Sequence, residues 1–448
     1  MNKQTGLIAG TTLLFVASII TFAGQFATSV VVARTLGPEF KGIYNLTLLS
    51  SGLVIIVSNL GMNGAISYFT ASKKYSNRQL FILAIVGGLI LSIIGGTLFF
   101  LAYDSVLAKS LLAGSNRQLI IWVMLGLPLS LVTSFLSSLL LGQQRMVAYN
   151  SVNILRVLTN LSFQIISSLM AGGVKGAVIS WLSANGIALI LAFWLLKKDT
   201  KVRTNQSSGL VPAALSYGGK SYAGNLLTFF NYRLDSFLVN YFRGAAAVGQ
   251  YTTSVTMAEL LWYLPNAVSA ALFPKVSSLD EGTANRLTPQ ACRQTLLVVS
   301  LAAIAFSFVG GWVLVGFYGE AYRPAVAPFL WLLPGMIGVT VAKIISADLS
   351  GRGKPQYAAY TAGLTVGLTV ILDLLLIPAF SISGAGIASS ISYLASGVLA
   401  VFWYCRETGV LPQALLIPRL EDMRFLKDRG MNIVLRMLSY VVNRKGNN

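Results

Sequence analysis

Residues 31–44 read VVARTLGPEFKGIY, and residues 238–251 read LVNYFRGAAAVGQY. Laid together without a gap, they set Gly37 on Gly244, Gly42 on Gly249 and Tyr44 on Tyr251 at a constant offset of 207 residues. Further markers follow in the same order at similar offsets: Pro128 with Pro334, Gly142 with Gly351, and Gly176 with Gly386. Any one match is weak in a chain holding 42 Gly and 13 Pro, but ordered matches near one offset point to two similar halves.

Each half is made of apolar runs. The first run, residues 7–33, would rise about 40 Å as a helix, longer than the core of a cleaved signal segment and long enough to cross hydrocarbon with tilt. Eleven more follow near residues 42–70, 80–102, 118–141, 150–171, 176–196, 219–242, 249–274, 294–317, 325–349, 357–378 and 384–404. Six spans per half, an even number, make the repeats parallel and relate them by an axis along the membrane normal. The expected fold is therefore all-α and integral to a membrane: about twelve transmembrane helices in two parallel six-helix lobes around a central cavity. The expected division is a first lobe over 1–196, a polar basic linker over 197–218, a second lobe over 219–404 and a basic tail over 405–448. For the tail two readings stand, an amphipathic helix on the anionic inner leaflet or a basic segment that only helps fix topology.

Composition agrees and excludes much else. The chain is 55% hydrophobic and 10% charged with a mean hydropathy of +0.71, against about 25% charged for a soluble domain. It has no histidine, which removes His-dependent triads and most zinc sites. Phosphate-binding loops, HExxH and nucleophile elbows are missing, and no large loop offers paired acids, so neither an enzyme nor a metal centre is expected. Cys292 and Cys405 lie in or beside segments placed on the cytoplasmic side, where a disulfide is not expected. The net charge of +19 is scattered between apolar runs, which argues against nucleic acid. With both termini cytoplasmic, the 33 Lys and Arg divide into 23 inside, 6 outside (Lys41, Lys109, Arg117, Lys175, Arg243, Arg323) and 4 within helices. That is the positive-inside bias of a multi-pass protein of the inner, or plasma, membrane.

Charge inside hydrocarbon costs about 2.5 to 3.5 kcal/mol per residue on insertion scales, so each such group needs a reason. On the fifth span Asn153, Arg156, Asn160, Gln164 and Ser167 recur at helical spacing and share one face. They form either the wall of a hydrated cavity, offering a guanidinium and amides to a polar substrate, or interhelical hydrogen-bond glue. The seventh span repeats the pattern with Ser221, Asn225, Thr228, Tyr232 and Asp235, and Arg233 stands about 200° around from Asp235. Asp235 serves binding or cation coupling, or pairs structurally with another helix. Arg34 ends the first span, where it snorkels to the interface or stands at the cavity mouth. Glu259 precedes Pro265, a potential hinge. Lys343 and Asp373 sit alone in apolar stretches, and Glu259 or Asp373 could take up a proton or sodium ion, with a structural role as the alternative.

The stretch VVVARTLGPEFKGIYNLTLL resembles the ARxLGxxxxGxY pattern of polysaccharide transport proteins, the Wzx-type oligosaccharide (O-antigen) flippases. NYRLDSFLVNYFRGAAAVGQYTTSVTMAELLWYLPNAV is similar to that family's RxDxxL…VGxY segment. The resemblance implies a MATE-like fold of the multidrug/oligosaccharidyl-lipid/polysaccharide exporter superfamily, without a cofactor and with possible coupling to an H+ or Na+ gradient. It also implies a cargo, a lipid-diphosphate-linked oligosaccharide moved from the cytoplasmic to the outer leaflet by alternating access for surface polysaccharide assembly. Implied partners are membrane lipids and the glycan polymerase and glycosyltransferases of the same pathway. Motif matches carry over Arg34, Arg233 and Asp235, while Arg156, Asn160, Gln164, Asn225, Tyr232 and Lys343 rest on burial and periodicity. The competing functions are a cation-coupled multidrug exporter of the same fold, a carrier of the major facilitator type, whose GxxxDR-like turn TASKKYSNRQ lacks, and a membrane glycan polymerase or ligase.

Overall fold

The computed structural model describes residues 3–105, 107–110, 112, 116–197, 209–419, 421 and 422. Residues 198–208, half of the expected linker, and the tail beyond Asp422 lie outside the described residues, and the rest of the linker from Leu210 is already the start of a helix. Among those described, all regular structure is helical.

The first half holds α1 (Lys3–Asn59), α2 (Met62–Ala71), α3 (Asn77–Ile82), a π-helical turn (Leu83–Gly87), α4 (Gly88–Ser105), α5 (Arg117–Leu125), α6 (Leu127–Gly142), α7 (Met146–Leu169) and α8 (Gly173–Leu196). The second holds α9 (Leu210–Ala258), a 3-10 segment (Glu259–Trp262), α10 (Tyr263–Val276), α11 (Glu281–Tyr318), a 3-10 segment (Glu320–Ala325), α12 (Val326–Gly351), α13 (Gln356–Phe380), α14 (Ile382–Thr408) and the short α15 (Pro412–Leu416). Among the described residues nine helices are long and apolar enough to cross a membrane. The first of them, Ala17–Asn59, holds two spans. The spans of α9 and α10 are not among the nine: α9 is too polar, carrying Asn225, Asn231, Arg233, Asp235 and Arg243, and α10, at 14 residues, is too short. With them the chain is a multi-pass bundle of about twelve spans. Odd-numbered spans end on one face, called here the far side, and even-numbered spans on the near side, where α1 begins.

The repeat is written in the backbone. α1 breaks at Gly37 (φ 72°, ψ 175°) and α9 at Gly244 (φ 79°, ψ −179°), the pair that the offset superposes. This region of backbone space is essentially open to glycine alone, so the residue type and the turn between paired spans explain each other. Pro38 then opens the second helix of α1, where its fixed φ suits a first turn. Before Pro265 the helix tightens into the 3-10 segment Glu259–Trp262, the local cost of an imino nitrogen that cannot donate.

By packing, the chain parts into two compact units. One comprises Met1–Met257, Gly310–Leu332 and Ala362–Ser389; the other comprises Ala258–Val309, Leu333–Thr361 and Ser390–Asn448. In the first, Met62, Ile66, Phe69, Leu80, Phe135, Leu139, Ala188 and Leu196 build a core on the near side of the first half. In the second, Leu272, Val276, Cys292, Ile344, Ile345, Ala400 and Tyr404 build another. Both cysteines are free.

The near-side turns of the second unit are tied by charge. Arg352 pairs with Asp348 at 2.6 Å, and Thr288 donates to Asp348 at 2.6 Å. Lys354 pairs with Glu407, which also accepts from Tyr357. Arg293 pairs with Asp422 at 2.7 Å and donates to the Ala414 carbonyl, which pins the chain just past α15 to α11. Burial raises the Asp422 carboxyl, but its bonds from Arg293 and the Arg419 N–H outweigh that and hold it below the usual carboxylate range.

Candidate functional site

A cluster of buried polar side chains lies where α9, α13 and α14 meet. Asp235 is 2% exposed and Asp373 0% exposed. Four donors converge on Asp235: the Tyr251 hydroxyl at 2.6 Å, the Ser236 N–H at 2.6 Å, and the Ser236 and Ser389 hydroxyls at 3.3 Å. Asp373 comes from α13 and lies within electrostatic reach of Asp235. Unlike Asp235, it has no hydrogen-bond partner among the described residues on either carboxyl oxygen, both of them buried. One turn away, Thr369 on α13 donates to Asn231 on α9 at 3.3 Å, so the two acids face each other across helices already tied together. A bare carboxylate in so dry a place costs several kcal/mol unless a proton or a cation accompanies it. Carboxylate and hydroxyl oxygens are hard donors, and the set fits a proton or a small cation of that kind.

The first half contains the corresponding pocket without the charge. The offset of the glycine breaks sets Tyr44 on Tyr251 and Thr28 on Asp235, and the spacing that sets Gly351 on Gly142 sets Asp373 on Gln164. Gln164 is buried and donates to the Tyr44 hydroxyl at 3.3 Å and to the Ala177 carbonyl at 2.9 Å. Thr28 donates to the Gly24 carbonyl of its own helix at 2.8 Å. Gln164, predicted to line a substrate surface, therefore holds α7 to α8 and to the second span.

Its neighbours on α7 are differently placed. Arg156 reaches only Asn153, at 3.4 Å, and among the described residues no carboxylate lies within ion-pair distance of it. Asn160, on the same face, keeps a buried amide oxygen without a partner among the described residues. These two retain unused binding capacity. On α9, Asn225 is exposed, Tyr232 and Arg233 are half-buried, Thr228 bonds its own helix, and Arg233 is close enough to Asp235 to act on its charge. The side chain of Ser221 lies outside the described residues. Lys343 is not alone in its span: its ammonium lies 4.7 Å from the centre of the Trp262 ring, with Glu259 within electrostatic reach. Asp373 is not alone either, because Asp235 faces it.

On the far side, the two halves close on each other within the first unit. Asn45 donates to Thr252 at 2.6 Å, and these residues are 207 apart, so the bond joins equivalent positions across the axis that relates the halves. Gly42 and Gly249 make the closest approach: a Cβ on Gly42 would lie 1.7 Å from the Ala245 carbonyl oxygen, and one on Gly249 1.9 Å from that of Pro38. Small residues permit such contact between spans. Arg34 donates to the carbonyls of Gly316 and Phe317, and Arg243 to those of Ile377 and Pro378, so each guanidinium caps the far end of a span with cationic charge. Lys41, expected in an outer loop, is buried at the start of the second span. The register of the glycines already implied that Asn45 and Thr252 are equivalent. That equivalent residues touch needed coordinates.

Comparison with known proteins decides the family. A model described as "Polysaccharide biosynthesis protein" matches residues 7–280, more than half the chain. The chain belongs to that polysaccharide biosynthesis family. A relative in Haloferax volcanii, the probable low-salt glycan biosynthesis flippase Agl15, is 23% identical over 397 residues, covering 86% of this chain and 81% of the relative. Among solved structures, the lipid II flippase MurJ superposes with a TM-score of 0.72 at 14% identity, covering 97% of this chain and 93% of that one. A Vibrio cholerae MATE transporter superposes with a TM-score of 0.66 at 16% identity, covering 91% and 97%. These likenesses give the fold, the MATE-like arrangement of two six-helix halves. This family member is accordingly a membrane transporter of the flippase type and not an enzyme.

Proposed function

We propose that this protein moves a lipid-diphosphate-linked oligosaccharide from the cytoplasmic to the outer leaflet of the plasma membrane, by alternating access, for surface polysaccharide assembly. The near side then faces the cytoplasm, with both termini, in keeping with the distribution of Lys and Arg. The reading rests chiefly on Arg156, a guanidinium deep in a span with no carboxylate to neutralise it. A diphosphate supplies the missing anion, and guanidinium is the side chain best matched to phosphate geometry. Asn160, Asn225 and Tyr232 offer the amides and hydroxyl that a glycan would use, and Arg233, Lys343 and Arg34 add positive charge.

The driving force in this reading is a proton or sodium ion taken up between Asp235 and Asp373. Loading neutralises Asp373, and release to the other side restores a bare carboxylate that favours a different packing of α13 against α9. Glu259, beside Lys343, is a second candidate for coupling. The far-side contacts through Gly42, Gly249, Asn45 and Arg34 must separate for cargo to leave. The glycan polymerase and glycosyltransferases of the same pathway would supply and consume the cargo. A multidrug exporter of the same fold is the second reading, favoured by the acid pair alone, since organic cations would suit those carboxylates better than Arg156. Replacing Arg156 or Arg233 by Ala should abolish surface glycan while leaving the protein in the membrane; normal glycan from both variants would remove the anionic cargo from consideration.

A further inference from the structure

We infer that Lys41 is an anion anchor on the far-side exit path, receiving the charged head group of the cargo when the turn that covers it withdraws. The inference rests on the proposed cargo, a lipid-linked diphosphate.

Lys41 stands four residues beyond the Gly37 break and is 2% exposed. Its ammonium donates to the Thr253 hydroxyl at 2.5 Å and lies 4.7 and 5.1 Å from the ring centres of Tyr318 and Tyr322. Among the described residues no carboxylate lies within ion-pair distance of it. Two ring faces and one hydroxyl hold a desolvated ammonium less well than a full anion would.

Packing does not demand the charge. At the offset of 207 the counterpart of Lys41 is Val248, which is fully buried in the other half. The same register of the same fold is thus filled by an apolar side chain, and the ammonium serves a state other than this one. Its position names that state. One turn inward, Asn45 and Thr252 bond across the axis between the halves, and Gly42 and Gly249 touch beside them. Cargo leaving along this axis must part those contacts and pass Lys41.

The cover is a short turn between two spans. Tyr318 ends α11 and Tyr322 lies in the 3-10 segment Glu320–Ala325. The turn is fastened by Tyr318 to Ser29 at 3.2 Å, by Tyr322 to the Ala33 carbonyl at 3.2 Å, by Ser254 to the Ala325 carbonyl at 2.6 Å, by Gln250 to the Ala321 carbonyl at 3.4 Å, by Arg34 to the Gly316 and Phe317 carbonyls, and by the Phe26 ring edge-on to Phe317 and Tyr318. The hydrogen bonds are ones that water or a phosphate can replace, and the ring contacts on Phe26 must part with them. When they let go, Lys41 loses its ring partners and faces the path with Arg34 nearby, so two cations meet the diphosphate at the exit.

The test uses the full chain in nanodiscs of zwitterionic lipid, with a polyprenyl diphosphate as probe and polyprenol and inorganic diphosphate as controls. The double variant Tyr318→Ala with Tyr322→Ala uncovers Lys41, and binding of the polyprenyl diphosphate should tighten about tenfold, the effect of one charge-assisted contact. Adding Lys41→Gln should cancel the gain, adding Lys41→Arg should keep it, and polyprenol binding should not change. Equal tightening by free inorganic diphosphate would make the site one for small anions and overturn the head-group assignment. Should the uncovered protein not fold, Lys41→Gln and Lys41→Arg with both rings intact are compared for translocation of the probe, and about a tenfold loss is expected for the first alone. Equal behaviour of those two and the unmodified chain overturns the anchor while leaving the flippase reading intact. Failure of the unmodified chain to bind the polyprenyl diphosphate at all overturns the cargo reading and the anchor with it.

Discussion

In the second half of this chain Tyr251 donates its hydroxyl to Asp235 and Asp373 lies alongside; in the first half the equivalent Tyr44 accepts from Gln164, and Thr28 stands where Asp235 does. Gln164 ties the second, fifth and sixth spans in the neutral pocket, and Asp235 ties the seventh, eighth and twelfth in the charged one. Asp235, with four donors, belongs to that packing, whereas Asp373 accepts no hydrogen bond among the described residues and is surplus to it. A buried carboxyl with two bare oxygens persists against its desolvation cost only where a function requires it. The two equivalent pockets differ in charge, and in the proposed reading the charged one senses the ion gradient.

The sharpest way to break this comparison is to make the pockets alike. Asp373→Asn should lower gradient-driven translocation by about 10- to 100-fold, the scale of a coupling free energy of a few kcal/mol. The same change should leave thermal unfolding in detergent unchanged or shifted upward, because no hydrogen bond to the protein is lost. The reverse change, Gln164→Glu, buries an acid beside Tyr44 and should cost about 3 kcal/mol or more in stability, read from the same unfolding curve. Gln164→Leu removes only the bonds to Tyr44 and Ala177 and should cost about 1–3 kcal/mol. At the breaks themselves, Gly37→Ala and Gly244→Ala should each cost about 1–3 kcal/mol, by equal amounts if the halves are equivalent. The smallest expected effect is at the axis: Asn45→Ala should cost about 0.6 kcal/mol, the usual worth of a hydrogen bond between spans.

A second contrast lies at the near-side turns of the second unit, where Arg293, Asp422, Arg352 and Asp348 form buried or half-buried ion pairs. Because Asp422 is held below its ordinary range, its contribution is complete above a pH of about 3.9, the unperturbed carboxylate value, and is lost as pH falls through the lower folded value. Asp422→Asn should therefore free the segment past α15 for proteolysis at neutral pH, and acidification below that range should do the same for the unmodified chain.

The bundle was legible because hydropathy and loop charge report directly on solvent. The halves were legible because Gly37 and Gly244 occupy backbone that other residues avoid, so that a structural necessity left a mark in the sequence. Side-chain roles were legible only as far as the helical face. Periodicity put Arg156, Asn160 and Gln164 on one face of α7, yet only coordinates separate Gln164, spent on Tyr44 and Ala177, from Asn160, whose oxygen is free. Asp373 looked solitary because its partner Asp235 lies more than a hundred residues away in the chain. Lys41 looked like a loop residue because the turn at Gly37 takes a single glycine, leaving no loop for it to occupy.

The central claim is that the charged pocket of the second half converts an ion gradient into movement of an anionic lipid-linked glycan. Its most direct test is translocation of a labelled polyprenyl-diphosphate oligosaccharide in proteoliposomes, with and without an imposed proton or sodium gradient, for the unmodified chain and for Asp373→Asn. The expected result is acceleration of the unmodified chain by one of the two gradients and indifference of the variant to both. A variant that responds to the gradient as fully as the unmodified chain would contradict the claim.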